Sequence, residues 1–286
     1  MVVTVVLWAS AFVAIRHLGE DFAPGSMALG RLAVGALALG AVAWRAHHRT
    51  PLARPTGPQW RALILIGLLW YALYMVALNE GERRVDAGTA ALLIQISPVL
   101  IAVLAALVLD EPFTRRLAVG LALAFAGVAV IALGGRAGEA GGPAAALDVV
   151  GVLLCLVSAA AYAVSLVVQK TLAARLPAVQ VTWVACTIGA LALLPFAPVL
   201  VHDLRAAPAS SIWWLVYLGL FPTAVAFTTY AVALQHLTAS RLGVTTYAVP
   251  VVTIVLSAVL LGEAPPTVAY LGGALALVGV AVARRS

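Results

Sequence analysis

The chain reads as a series of long apolar runs separated by short polar, glycine-bearing or proline-bearing breaks. The runs cover approximately residues 2–17, 25–45, 60–79, 86–109, 113–134, 148–170, 178–201, 211–236, 239–262 and 265–283. Crossing about 30 Å of hydrocarbon takes roughly 20 mostly apolar residues at about 1.5 Å each, and each run is of that order. Apolar side chains fall on every side of a run instead of alternating, which argues against barrel strands. It predicts α-helices, because inside lipid each backbone group must be satisfied within its own segment. The breaks are short, so successive helices are expected to be antiparallel neighbours. The expected fold class is an all-α polytopic membrane protein with ten transmembrane helices. The first run has no basic n-region and no small-residue cleavage site before Arg16, so it is expected to stay as a span and not be cleaved as a signal peptide.

Composition agrees. Apolar residues make up 64% of the chain and charged residues 10%, where a soluble domain is about half apolar and about a quarter charged. Mean hydropathy is +1.08. A soluble enzyme, a nucleic-acid binder and a disordered chain are excluded. The formal charge of +6 acquires meaning once the cations are placed. With ten spans, one side collects Arg45, Arg49, Arg54, Arg61, Arg115, Arg116, Lys170, Arg175, Arg241, Arg284 and Arg285. The other side holds Arg16, Arg83, Arg84, Arg136 and Arg205, and Arg31 lies inside a span. Because Lys and Arg concentrate on the cytoplasmic side, both termini are expected there. Arginine-for-lysine usage and abundant Ala and Gly associate the chain with a GC-rich bacterial gene, hence with a multi-pass address in the bacterial inner (plasma) membrane.

Self-comparison shows a duplication. Gln95-Ile-Ser-Pro98 and Leu109-Asp-Glu111 are followed 152 positions later by Tyr247-Ala-Val-Pro250 and Leu261-Gly-Glu263. At the same offset Gly120, Ala124 and Gly127 become Gly272, Ala276 and Gly279. Gly35-Ala-Leu-Ala-Leu39 returns as Gly189-Ala-Leu-Ala-Leu193, and Tyr74-Met-Val-Ala-Leu78 as Tyr230-Ala-Val-Ala-Leu234 at an offset of 156. Five spans per copy is an odd number, so the second copy enters the bilayer from the opposite side. The division is a first five-helix repeat over 1–135, an inter-repeat loop over 136–147 and a second, inverted repeat over 148–286. Inverted repeats with Gly- or Pro-interrupted helices in matching positions are the mark of secondary transporters that alternate access around a midplane site; duplication can also simply build a bundle.

The pattern resembles the EamA-type branch of the drug/metabolite transporter superfamily. The resemblance rests on the five-plus-five duplication, Leu7-Trp8-Ala-Ser10-Ala-Phe12, Arg31, the run Ala87–Leu93, Ser97-Pro98, and the Glu111 and Glu263 landmarks. It implies a central cavity enclosed by helices 1, 3, 4, 6, 8 and 9, with helices 5 and 10 at the periphery. It also implies export of amino acids and related metabolites, the aromatic amino-acid exporters being the nearest functional kin.

The candidate cavity residues are Trp8, Ser10 and Phe12 on the first helix, Tyr162 and Ser165 on the sixth, and the repeat-matched Tyr74, Asn79, Tyr230 and Gln235. Aromatic walls with a few neutral polar groups suit a small amphipathic solute. Pro98 and Pro250 each remove a helical hydrogen bond and kink the helix, freeing the carbonyls of Ile94 and Thr246. Each kink serves either packing or a cavity, with Gln95 and Tyr247 one turn away on the same face. Arg31 is costly inside a membrane and is a functional-site candidate by default; it either anchors a substrate carboxylate or snorkels to the interface. Trp44, Trp60, Trp213 and Trp214 suit interfacial belts. Glu111 and Glu263 are expected to cap the helices that follow them, the alternative being a role in gating. Ala118, Ala122 and Ala126, with Ala269 and Gly273, give small-residue faces that either pack helices 5 and 10 within one chain or make a dimer; packing within one chain is expected, and with it a monomer.

No carboxylate lies mid-span, so direct proton coupling is disfavoured and facilitated export is the simpler expectation. The histidines show no metal-ligand spacing, and no metal, cofactor or nucleic-acid partner is expected. The partners are the lipid bilayer and a small-molecule substrate. The rival reading within transport is a nucleotide-sugar or sugar-phosphate exchanger, for which a single interior Arg is thin provision. From another class, an intramembrane enzyme would need a catalytic constellation that the sequence lacks.

Overall fold

In the computed structural model, residues 1–47, 52–84, 93–138, 148–261 and 267–284 are described, and at several helical positions, Phe12 and Arg16 among them, only the backbone is. Glu263, most of the Ala87–Leu93 run and most of the inter-repeat loop lie outside the described residues. The elements are α1 (Val2–Leu18), α2 (Pro24–His47), α3 (Gly57–Ile66), α4 (Tyr74–Glu82), α5 (Ser97–Val108), α6 (Arg115–Gly138) and α7 (Val149–Ala173). There follow α8 (Ala178–Ala192), α9 (Ala197–Ala206), α10 (Ala209–Leu218), α11 (Ala226–His236), α12 (Ala239–Thr245), α13 (Ala248–Leu261) and α14 (Thr267–Arg284). Two π-helical stretches, Gly67–Leu73 and Gly219–Val225, join α3 to α4 and α10 to α11. Among the described residues every regular element is helical.

Among the described residues, length and apolarity single out fewer spans than the ten expected. Pro24–Arg45, Gly57–Gly81, Val149–Ala173 and Ala209–His236 are long and apolar enough to cross a membrane, and Ala178–Ala192 with Leu194–Ala206 makes a fifth if that pair, bent by 52°, is one span. For two of the missing spans the cause is local. The ninth expected run is cut at Thr246–Tyr247 into α12 and α13, and the fourth is cut at Gln95–Ile96 ahead of α5. Prolines Pro98 and Pro250 stand in the first turn after each cut, where a missing N–H costs least.

Helix starts follow side-chain chemistry. The Thr56 N–H donates to Gln59 Oε1 at 2.8 Å, and Asp148 Oδ1 accepts the Gly151 N–H at 3.0 Å. That bond, with Arg84 3.6 Å away, holds the Asp148 carboxyl below its usual range. Thr114 Oγ1 accepts the Leu117 N–H at the start of α6. The cap of α6 is therefore Thr114, not Glu111, which corrects the expectation from sequence. Asp110, with φ at 54°, turns the chain in the left-handed region that Asp tolerates; the second half has Gly262 there. Beyond this turn the Glu111 carboxylate accepts from the Ala239 N–H at 2.7 Å, the Ser240 N–H at 3.1 Å and the Ser240 hydroxyl at 2.7 Å. It caps α12, 128 residues away in sequence.

The chain forms two compact units, Met1–Val76 with Val168–His236, and Ala77–Val167 with Leu237–Ser286. Each draws on both halves of the sequence. In the first unit, α2 lies on the second π stretch and α8 on the first. A Cβ placed on Gly219 would stand 2.9 Å from the Arg31 carbonyl oxygen and 2.5 Å from Val34 Cβ; one on Gly67 would stand 2.8 Å from the Ala185 carbonyl oxygen and 2.7 Å from Ile188 Cβ. These contacts correspond residue for residue when Gly67 is paired with Gly219, Arg31 with Ala185 and Val34 with Ile188.

In the second unit, α6 and α14 form the most extensive helix pair. A Cβ on Gly127 would meet Ala276 N and stand 2.6 Å from Gly272 O; one on Gly279 would meet Ala124 N and stand 2.7 Å from Gly120 O. Again the two contacts are each other's image at 152 positions. The small-residue face in use is thus Gly120, Ala124 and Gly127, whereas Ala122 and Ala126 are exposed, so the expected alanine face is not the one that packs. Tyr247, Leu117, Leu121 and Val280 fill the core beside this pair.

Candidate functional site

The first unit contains a cluster of large rings around Phe227 of α11. Trp8 of α1 lies 5.5 Å from it, centroid to centroid, and Trp70 and Tyr71 of the first π stretch each lie 5.1 Å away. Tyr230 closes the group, 4.9 Å from Trp8 and 5.9 Å from Trp70. Phe227, Trp70, Tyr71 and Tyr230 are buried. Sequence reasoning named Trp8 and Tyr230, which meet here, and missed Phe227, Trp70 and Tyr71.

Arg31 of α2 turns to this cluster. Its Nε donates to Thr223 Oγ1 at 2.7 Å, and its guanidinium carbon stands 6.0 Å from the Phe227 centroid. Thr223 in turn donates to the Leu218 carbonyl at 2.8 Å, five residues back, a reach that the wider π turn opens. Tyr71, Tyr74 and Cys186 stand close enough to feel the charge. Among the described residues no carboxylate lies within ion-pair distance of Arg31. Two buried polar atoms of the unit's ring-bearing helices have no partner, Trp8 Nε1 and Thr228 Oγ1. An orphaned buried donor costs about 1–3 kcal/mol, and such atoms mark places that a ligand or water completes.

Ser10, grouped with Trp8 from sequence, faces elsewhere: its hydroxyl pairs with Tyr217 Oη at 2.7 Å. Two positions along a helix are about 200° apart, so Ser10 joins the Tyr217, Trp214 and Phe221 rings instead. Thr4, one turn before Trp8 on the same face, pairs with Thr229 at 2.9 Å. The side chain of Phe12 is outside the described residues. Gln235 is exposed and donates to the Leu176 carbonyl. Trp44, Trp60, Trp213 and Trp214 are exposed.

In the second unit the two proline breaks are internally satisfied. Pro98 leaves the Ile94 carbonyl without its helical donor, and the Ser97 hydroxyl donates to it at 2.6 Å. The Val99 N–H bonds to Ile96 O, so the Gln95 carbonyl is also freed, and the Tyr247 hydroxyl donates to that at 3.0 Å. At the second break the Thr246 carbonyl accepts the Val249 N–H at 2.9 Å. The freed carbonyls of Ile94 and Thr246 are thus already partnered. Gln95 Nε2 and Ser165 Oγ are buried without partners. Tyr162 is buried on the same face of α7 as Ser158, Ser165 and Gln169, and Asn79 is half-buried near the end of α4. Cys155 and Cys186 are buried free thiols. Among the described residues no group of three His, Cys, Asp or Glu side chains is placed to hold a metal.

Comparison with known proteins adds a family to this geometry. The model of the EamA-like transporter family matches residues 1–133 and 149–285. The "Probable terminal-alkyne amino-acid exporter" of Streptantibioticus cattleyicolor is 38% identical over 285 residues, covering 100% of this chain and 92% of that protein. The "Uncharacterized transporter YdfC" of Bacillus subtilis is 31% identical, covering 96% of this chain and 86% of its own length. A solved crystal structure 24% identical in sequence superposes with a TM-score of 0.78, covering 98% of this chain and 93% of that one, and so shares the fold.

Proposed function

The chain belongs to the EamA-like transporter family, and we propose that it exports neutral amino acids with apolar or aromatic side chains by alternating access. It is a multi-pass membrane transporter and not an enzyme. The observation that carries the cargo assignment is the ring cluster of Trp8, Trp70, Phe227 and Tyr230 beside an Arg31 that has no described carboxylate partner. Ring faces attract apolar side chains and cations, and a guanidinium attracts a carboxylate. Together they suit a zwitterion with an apolar side chain. The similarity to a protein named for amino-acid export points the same way.

Ten spans in two inverted sets of five complete the reading. The two-segment family match and the glycine contacts that repeat at 152 positions support it. The distribution of Lys and Arg supports cytoplasmic termini and a bacterial inner-membrane address. Facilitated export without direct proton coupling is supported by the lack of mid-span Asp or Glu in the sequence. A sugar-phosphate cargo fits less well, because a dianion wants several cations and Lys170, a half-buried cation of the first unit, already donates to the Leu234 carbonyl.

Counterflow into liposomes holding the purified protein tests this reading. Labelled neutral amino acids are expected to exchange with and without a pH gradient, and sugar phosphates are not. Exchange of sugar phosphates with none of amino acids overturns it.

A further inference from the structure

The duplicated packing of the first unit gives Arg31 an internal control. Its carbonyl lies under Gly219 of one π stretch, as the Ala185 carbonyl lies under Gly67 of the other. The same helix-on-π contact is thus made twice, once with an arginine and once with an alanine. That contact is made by the main-chain carbonyl and does not itself require an arginine side chain. A half-buried charge that this contact does not require, in the costliest solvent for it, is a binding-group candidate by default.

The guanidinium is held in one orientation. The Thr223 hydroxyl gives its hydrogen to the Leu218 carbonyl, so it meets Arg31 as an acceptor and takes the Nε hydrogen. With Nε engaged, the donors left are those of the two terminal nitrogens, a fork that matches the two oxygens of a carboxylate end-on. The residue matching Thr223 in the other π stretch is Tyr71, so the Arg–Thr pair occurs on one side of the duplication only. Trp8, whose ring also packs on Phe227, presents its Nε1 as a buried donor without a partner. Both unsatisfied groups require an acceptor, and neither can serve an ammonium group. The same cluster contains aromatic rings, Trp70 and Tyr230 among them, of the kind that attract an ammonium group.

We infer that Arg31, positioned by Thr223, binds the free α-carboxylate of the cargo, so that the transporter discriminates amino acids from the same molecules with the carboxylate masked. This rests on the amino-acid reading above and adds the recognised group and a positioning residue. Thr223 acts through Arg31.

The test is counterflow of labelled L-phenylalanine against L-phenylalaninamide by the full chain in liposomes. The wild type is expected to prefer the acid by roughly 10- to 100-fold, the range for hydrogen bonds to a charged group. Arg31→Gln is expected to bring the ratio close to one, mainly through KM. Thr223→Val is expected to lose most of the preference, and Thr223→Ser, which keeps the hydroxyl, to restore it. Equal exchange of acid and amide by the wild type overturns the inference while leaving amino-acid export standing, and it does so without any variant having to fold. A Thr223→Val protein that keeps the full preference removes Thr223 from the account. If the wild type exchanges neither compound nor any other neutral amino acid, the functional reading fails and this inference with it.

Discussion

The Tyr247 hydroxyl donates to the main-chain carbonyl of Gln95 at 3.0 Å, and Gln95 is the residue that stands at Tyr247's own position in the first half of the chain. The bond meets a specific need: the turn before Pro98 leaves that carbonyl without a helical donor. Tyr247 is fully buried. Tyr247→Phe keeps the ring and orphans the carbonyl, a loss of about 1–3 kcal/mol. Thermal unfolding of the purified protein is expected to move down by several degrees. An unchanged midpoint would show that the break is satisfied without the phenol.

Glu111 caps α12 through three hydrogen bonds. Removing a cap costs about 0.5–2 kcal/mol, and a carboxylate at a helix start adds favourable electrostatics. Glu111→Ala is expected to lower the unfolding midpoint more than Glu111→Gln, which keeps an acceptor oxygen. Thr114→Ala, which removes the cap of α6 itself, is expected to add its loss to that of Glu111→Ala, because the two cap different helices. Loss from Glu111→Ala that disappears in the Thr114→Ala background would place both at one helix start and contradict the geometry.

The α6–α14 contact places Gly127 and Gly279 against backbone atoms of the partner helix. A valine at either position forces the helices apart, at a cost of about 1–3 kcal/mol or more. Gly127→Val and Gly279→Val are expected to destabilise by similar amounts, because each contact is the image of the other. Ala122→Val and Ala126→Val, on the exposed face of α6, are expected to stay within about 0.5 kcal/mol of the parent. Midpoints in a denaturing detergent titration report all four.

Much of this architecture was readable from the order of residues, and the failures have physical causes. Apolar runs located the helices, and Pro98 and Pro250 located the breaks, because missing N–H groups act locally. Trp8, Tyr230 and Arg31 stood out as rings or a charge in lipid-facing text. Phe227, Trp70 and Thr223 did not, because the third and eighth helices were matched at 156 positions through Tyr74-Met-Val-Ala-Leu78 and Tyr230-Ala-Val-Ala-Leu234. The π stretches pair at 152, Gly67 with Gly219. A slip of four residues is close to one helical turn, so it preserves the apolar face and looks equally good in Ala- and Leu-rich sequence. The alternative match, Gly67-Leu-Leu-Trp70 with Gly219-Leu-Phe-Pro222, was the available signal. Glu111 was misassigned for a different reason: its partners lie 128 positions on, and sequence proximity favoured the nearer helix. Ser10 was misgrouped because closeness along a helix is not closeness around it.

Amino-acid export is tested most directly by the initial rate of efflux of preloaded L-phenylalanine from liposomes containing the purified chain, with membrane potential clamped at zero. Protein-dependent efflux that saturates with internal amino acid and is competed by other neutral amino acids is expected. Efflux no faster than from protein-free liposomes, across a panel of neutral amino acids and with the protein shown to be folded, contradicts it.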